Sequence, residues 1–346
     1  MMTNQATGAA NPVLAEFVRG NMVENRHRGA FCVVDQHGEI VAKAGDISAL
    51  IYPRSAIKSL QALALFQSGA AEMFDLDDKD LALACASHLG EEFHVAGVSR
   101  FLEKIGLTAA DLECGAHLPT NKAARKALLA SGQQPSALHN NCSGKHAGML
   151  AVAKALGVDT KGYIESEHPV QVLVRECVER VLNVQLTPDH CGRDGCSIPT
   201  WGAPLINFAQ AFAKMSSGSN ELPTVYANAG DRLFKAAASN AELVSGTGGF
   251  DTDAMNVFAG DLMLKIGAAG VFCGALRGRN WGFALKCDDG NMDAAHAIVA
   301  GLLSAIGGNS DEIENVLKTM KVQVSKNWRG FEVGHMQSAS EIASYF

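Results

Sequence analysis

The sequence is short of charge. Asp, Glu, Lys and Arg make up 19% of its 346 residues while apolar types supply 47%, which excludes a disordered or charge-stabilised chain and leaves a well-buried globule. There is no basic excess either: 29 Lys and Arg stand against 36 Asp and Glu, a formal net charge of -7. No attraction toward nucleic-acid phosphates or anionic lipid is therefore expected. No apolar stretch approaches the roughly 20 residues that a membrane span requires. Residues 1–11 carry neither the basic start nor the apolar run of a secretory signal, which predicts a cytoplasmic protein with no membrane partner. A linker is missing too: the one Ser/Gly/Asn-rich stretch, residues 216–220, is the size of a surface loop, and no internal repeat is present. At roughly 150 residues per domain the length suits one large domain or two ordinary ones. What the chain does have is cysteine. Nine is an odd number for a disulfide framework, and in a reducing compartment such residues serve as buried thiols, ligands or reactive groups.

Apolar, β-branched runs at 30–34 and 40–44 flank the turn-like cluster Asp35-Gln36-His37-Gly38 and predict a β-hairpin. From Ser55 a helical pattern places Ile57, Leu60, Leu63, Ala64 and Phe66 on one face until Gly69. Helical periodicity then dominates the middle of the chain, as at 93–105, 146–156 and 170–182. A second hairpin is predicted from 271–276 and 281–287 around Arg277-Gly278-Arg279-Asn280, with a helix over 293–306 and a last strand over 330–335. That order predicts an α/β fold in which one sheet is built from both ends of the chain and an all-α lobe is inserted between them.

Ser55-Ala56-Ile57-Lys58 places a hydroxyl and an amine three residues apart at a helix start, where they share a face. An ordinary lysine, with a pKa of about 10.4, is a poor base at neutral pH. Arg54, the positive helix end and burial all disfavour its charge, moving it toward the roughly 7 to 8 that a general base needs. Roughly one such motif occurs by chance in a chain this long, and Ser55 by itself reads equally as a helix cap. Position adds weight. Penicillin-recognising serine enzymes carry such a pair on the helix after their opening strands, and a second lysine followed by a small residue and glycine on a strand beyond the helical lobe. Here Lys265-Ile266-Gly267 enters the second hairpin, and Ser87 follows a predicted helix over 78–86. Ala86-Ser87-His88 in place of Ser-Asp-Asn, and Lys-Ile-Gly in place of Lys-Thr-Gly, argue against β-lactam chemistry itself.

Two polar loops contain cysteine: Asn140-Asn141-Cys142-Ser143-Gly144-Lys145-His146 and Cys191-Gly192-Arg193-Asp194-Gly195-Cys196. Cys142 and Cys196, with one nitrogen donor and a water, would make an open tetrahedral Zn²⁺ site. The nitrogen could come from His146 or from a neutral Lys145, and histidine is the commoner ligand. The bland alternatives are turn asparagines, a capping thiol at Cys142 and a small buried hydrophobe at Cys191 or Cys196.

Tyr52-Pro53-Arg54-Ser55-Ala56-Ile57-Lys58-Ser59, Ala84-Cys85-Ala86-Ser87-His88, His139 to His146, Asp194-Gly195-Cys196 and Lys265-Ile266-Gly267 together resemble the Rhizobium-type, or class 3, L-asparaginases of the asparaginase II family. The resemblance implies a fold similar to the serine β-lactamases and glutaminases. That divides the chain into a discontinuous sheet domain, 1–58 and 241–346, and a helical lobe, 59–240, with the site between them. It implies hydrolysis of L-asparagine to L-aspartate and ammonia in a homodimer, a glutaminase or other amidohydrolase being the alternative on the same scaffold. Carried over by position, Ser55 is the nucleophile with Lys58 as partner, and Ser87 with Lys265 forms a second Ser-Lys pair. Cys142, Lys145 and Cys196 become Zn²⁺ ligands, which reverses the preference for His146 as nitrogen donor. His146, Asp194 and Arg54 become substrate-contacting or supporting groups.

Other features read as structure. Ser245-Gly246-Thr247-Gly248-Gly249 is expected to be a tight turn, since no lysine follows it as in a phosphate loop. His88 is expected to line the site and His94 to lie on the surface. The acidic run Asp75 to Asp80 reads as a solvated helix start. Cys32, Cys85, Cys114, Cys177, Cys273 and Cys287 fall on predicted elements or their ends as packing residues, with Cys191 unassigned.

Overall fold

Strands from the two ends of the chain hydrogen-bond into one sheet. The structure, a computed structural model, describes residues 10–218, 222–307 and 310–346. The strands are β1 (Val13–Arg19), β2 (Met22–Val34), β3 (Ile40–Ala44), β4 (Leu262–Gly267), β5 (Val271–Leu276), β6 (Trp281–Cys287), β7 (Val322–Lys326) and β8 (Glu332–Ser338). Among the described residues they form an eight-stranded antiparallel sheet in the order β7-β8-β1-β2-β6-β5-β4, with β3 paired to β2. Both predicted hairpins are present. The predicted last strand is β8, two residues later in its start.

β2 is the long strand, and its two halves differ. Its first half pairs with β1 and is mostly exposed, whereas residues 29–34, Gly-Ala-Phe-Cys-Val-Val, pair with β6 and β3 and are buried almost throughout. A continuous apolar run of this kind requires cover on both faces of the sheet. Helix α5 (Leu205–Ser217) supplies it against β6, β5 and β2, and α8 (Met292–Gly307) against β8, β1 and β6. Other helices include α1 (Asp78–Ala84), α2 (Glu92–Lys104), α3 (Ser143–Leu156), α4 (Pro169–Leu182), α6 (Thr224–Ser239), α7 (Phe250–Val257) and α9 (Asp311–Lys321). No helix among the described residues is long and apolar enough to cross a membrane. The loop expected at 216–220 begins where α5 ends at Gly218, φ +62°, and its last two residues lie outside the described residues.

Three local readings change. The helix expected from Ser55 is a succession of short turns, a 3₁₀ turn Arg54–Ile57 followed by Lys58–Gln61 and Leu63–Gln67, closed by Gly69 at φ +75°. The acidic run is no plain solvated surface. Asp77 and Asp80 form a capping box on α1, and Asp80 is fully buried between Arg100 at 2.7 Å and Lys104 at 2.6 Å. His94, expected outside, is buried on α2 and stacks on His88 with ring centroids 4.8 Å apart. Its Nε2 donates to Glu242 O at 2.9 Å, so the ring ties α2 to the chain before Ser245.

Close backbone approach sets the layer spacing. A Cβ on Gly282 of β6 would run into Ala209 O and Ala213 N of α5. Gly282→Ala is expected to lower stability by about 1–3 kcal/mol, the ordinary range for overpacking a well-packed interface. Urea denaturation with an unchanged slope would measure it.

Candidate active site

The turn that carries Ser55 lies against the edge of the sheet. Arg54 holds φ +53°, a left-handed value that costs a side-chain-bearing residue energy, and the Lys58 N–H donates back to Ser55 O. A Cβ at Gly267, the last residue of β4, would sit 2.5 Å from Pro53 O and 3.0 Å from Ala56 N. The glycine of Lys-Ile-Gly is thus what lets the strand reach the serine turn. Ser55 is partly buried, and its hydroxyl has no hydrogen-bond partner among the described residues.

Lys58 points inward from the same turn and is fully buried. Two loops converge on it: the one that follows α1, with Ala86 and Ser87, and the one that precedes α3, with Asn141. Gly144 permits this, because a Cβ there would collide with Leu83 O of α1. Lys58 Nζ bonds Ala86 O, meets Ser87 Oγ at 2.9 Å and reaches Asn141 O at 3.3 Å. Burial pushes this amine below its ordinary pKa, against the pull of Cys142. A neutral amine has two N–H groups for the two carbonyls and one lone pair, which then faces the Ser87 hydroxyl.

Lys265 arrives from β4, also buried, and donates to Ile266 O at 3.0 Å with Asp251 Oδ2 at 3.8 Å. Burial lowers it to about 8, while Asp251 pulls the other way. Asp251, on α7, is fully buried and held up by burial; its Oδ2 accepts from Ile266 N at 2.9 Å and its Oδ1 has no partner. The two Ser-Lys pairs expected from the sequence are therefore regrouped. Lys58 bonds Ser87 rather than Ser55, and Lys265 bonds the backbone beside Asp251 rather than Ser87. Lys58's stem leaves the serine turn toward the core, where the Ser87 loop meets it.

Cys142, Lys145 and Cys196 meet behind Lys58, each nearly fully buried. Lys145 donates to Cys196 Sγ at 2.9 Å, and the Cys142 thiol donates to Asn141 Oδ1 at 3.2 Å. Proximity to Cys196, with help from Lys145 and Lys58, pulls Cys142 down, while proximity to Cys142 and burial push Cys196 up. Burial disfavours a charged Lys145, but Cys142 and Cys196 beside it raise it overall. Two sulfurs and an amine in contact are a donor set that suits Zn²⁺. The hairpin of 191–193 and 199–201 brings Cys196 in, and its turn is fixed by Arg54, which donates to Asp194 Oδ1 at 2.8 and 3.1 Å. Gly195 N donates to the same oxygen at 2.7 Å. Arg54 and Asp194 are thus engaged with each other.

His146 faces away from the sulfurs toward Tyr163, whose hydroxyl takes the Glu113 N–H at 2.9 Å and lies 2.7 Å from His146 Nδ1. His88 lies under the site, fully buried, with Nε2 donating to Ser143 Oγ at 2.8 Å and Nδ1 accepting from Gly90 N at 3.2 Å. Ser245 to Gly249 is a turn, with Gly246 and Gly248 at positive φ, and it packs on the Ser87 loop through Leu89 and Glu91. Sequence reading missed Asp251. Its one signal, an acid at a helix start fourteen residues before Lys265, names no partner.

A family model described as L-asparaginase II matches residues 15–338. No curated protein matches. Among solved structures the chain is similar to Mglu in its native form, with 14% identity over 87% of this chain and 69% of that one at a TM-score of 0.37. It is also similar to Mglu in its native form in the presence of 4.3M NaCl, with 12% identity over 76% and 56% at a TM-score of 0.34. The chain thus spans 56% of the length of that last structure.

Because Asp251 favours the charged form of Lys265, Asp251→Asn is expected to move the lysine's titration below about 8. Lysine side-chain NMR against pH measures it; an unchanged or raised midpoint would show that the carboxylate exerts no such pull.

Proposed function

Since the chain belongs to the L-asparaginase II family, we propose that it hydrolyses L-asparagine to L-aspartate and ammonia through a serine nucleophile, on a serine β-lactamase-like fold. Family membership supports a hydrolase acting on amides; the choice of asparagine and the chemistry are the reading offered here. One observation carries it: a buried lysine amine in contact with Ser87, at the end of the turn that holds a second, partly buried serine, Ser55.

In this reading the neutral Lys58 amine, turning from Ser87 toward Ser55 once substrate is bound, takes the Ser55 proton as Ser55 Oγ attacks the side-chain amide carbon, and backbone N–H groups of the turn hold the oxyanion. The proton passes from Lys58 to Ser87 over the 2.9 Å contact and on to the departing ammonia. Lys265, charged below about 8, supports that delivery from the β4 side. Water then releases aspartate from the acyl-enzyme. The same contact favours a second reading, in which Ser87 attacks and Ser55 assists. Ser55→Ala is expected to lower ammonia release by at least about a thousandfold, the scale of losing a nucleophile. Mass spectrometry of quenched wild type should find the acyl adduct on the Ser55 peptide; an adduct on the Ser87 peptide selects the second reading. Turnover of asparagine against glutamine at equal concentration separates the asparaginase from a glutaminase.

Cys142, Lys145 and Cys196 would hold Zn²⁺ with a water as fourth ligand, Lys145 giving up its proton to bind and Asp194 lying close enough to orient it. When bound, the ion would supply a fixed positive anchor for the α-amino and α-carboxylate end of the substrate. Arg54 completes the substrate side in this reading, and His146, expected from the sequence to contact substrate, is instead buried against Tyr163 as a supporting group. The proposal also retains the division into 1–58 with 241–346 and 59–240, the homodimer and the cytoplasmic setting. Removing zinc is expected to raise KM by about tenfold or more while kcat changes little; a collapse of kcat at constant KM would assign the ion to the chemical step instead.

A further inference from the structure

Outside this site, one cluster of metal-binding side chains among the described residues stands where β6 ends beside the middle of β2. His27 is on β2, Cys287 is the last residue of β6, and Asp289 lies in the turn that follows. Their donor atoms all lie within 4.8 Å of one another. Asp289 bridges the other two: Oδ2 is 2.7 Å from His27 Nδ1, and Oδ1 accepts from the Cys287 thiol at 3.0 Å.

We propose that His27, Cys287 and Asp289 form a second metal site, for Zn²⁺ or a similar borderline dication, completed by water. One imidazole, one thiolate and one carboxylate are each ordinary zinc ligands. Bond lengths of about 2.0–2.3 Å would put tetrahedral donor atoms roughly 3.5 Å apart, so the present contacts need only open slightly around an ion.

The cluster is held by backbone and is no chance meeting of surface acids. Cys287 pairs with Gly29 across the sheet, and its N–H donates to Gly270 O at 2.8 Å. The turn closes through Gly290 N to Cys287 O at 3.1 Å, with Gly290 at φ +72°. Asn291 N donates to Asp289 Oδ1 at 2.9 Å, fixing the carboxylate as a supporting partner does in metal centres. His27 and Cys287 are buried, while the Asp289 side chain is 50% exposed, so an ion can enter without unfolding. On binding, the thiol proton leaves to solvent and the Nδ1 proton of His27 moves to Nε2. That second nitrogen is buried with no hydrogen-bond partner among the described residues, so no donor there opposes the incoming proton. The bound ion would tie β2 to a turn some 260 residues away in the chain, a cross-link between the two ends that build the sheet.

The full chain carrying Cys142→Ser, which removes a sulfur from the proposed first site, tests this by equilibrium dialysis against zinc and metal analysis. The expected result is one zinc retained per chain, a zinc-dependent rise in Tm, and a thiolate-to-cobalt absorption band when Co²⁺ replaces zinc. All three are lost on adding Asp289→Asn, a change at a half-exposed side chain that leaves the circular dichroism unaltered. The proposal fails if folded Cys142→Ser retains no zinc. It also fails if the zinc survives both Asp289→Asn and His27→Gln.

Discussion

The arrangement depends on a primary amine buried without a carboxylate. Lys58 is enclosed by Ala86 O, Asn141 O and the Ser87 hydroxyl, and it makes no ion pair with Asp or Glu among the described residues. A charged ammonium so enclosed is costly, and the structure lowers that cost by favouring the neutral form. Neutrality is also what a base needs. The segments around Lys58 come together because a side chain is given up at two contacts: Gly267 lets β4 touch the serine turn and Gly144 lets α3 touch the end of α1.

Charge is managed differently a short way outward. Asp80, fully buried, is matched by Arg100 and Lys104; Asp194 is matched by Arg54. Breaking one partner of such a pair strands the other, so these pairs act as fixed struts whose net contribution is small beside the cost of disturbing them. Asp80 anchors α1 to α2 ahead of the Ser87 loop. Asp194 anchors the Cys196 turn to the residue before Ser55. The sulfurs and the serine turn are thereby held by the same Arg54, which pays in a left-handed backbone.

Much of the fold was legible because it is local. The hairpins of β2 with β3 and of β5 with β6 follow from β-branched runs around turn residues, and α3 and α4 follow from apolar periodicity. β1 and β7 escaped because their exposed faces carry charged or polar residues and break the apolar alternation, although each pairs with its neighbour in the chain, β2 and β8. His94 was misplaced because a histidine soon after two acids reads as surface, and only the packing of α2 on Glu242 and His88 buries it. Of the residues singled out in the sequence, the structure brings Lys145 to Cys196 beside Cys142 and Lys58 to Ser87, and sets Lys265 against Ile266 O and Asp251, an acid on which the sequence was silent.

The sequence by itself determined the chemical inventory: two buried-lysine motifs, two cysteine loops, an α/β order of elements and membership in one family. Those are properties of residue types and of spacings within a turn or a helix. The tertiary structure alone decided the pairings, since Lys58 with Ser87, Lys265 with Asp251 and Lys145 with Cys196 each join segments far apart in the chain. Their distances are fixed by how closely backbones can approach at a few glycines, and that is a property of packed layers that spacing along the chain does not carry.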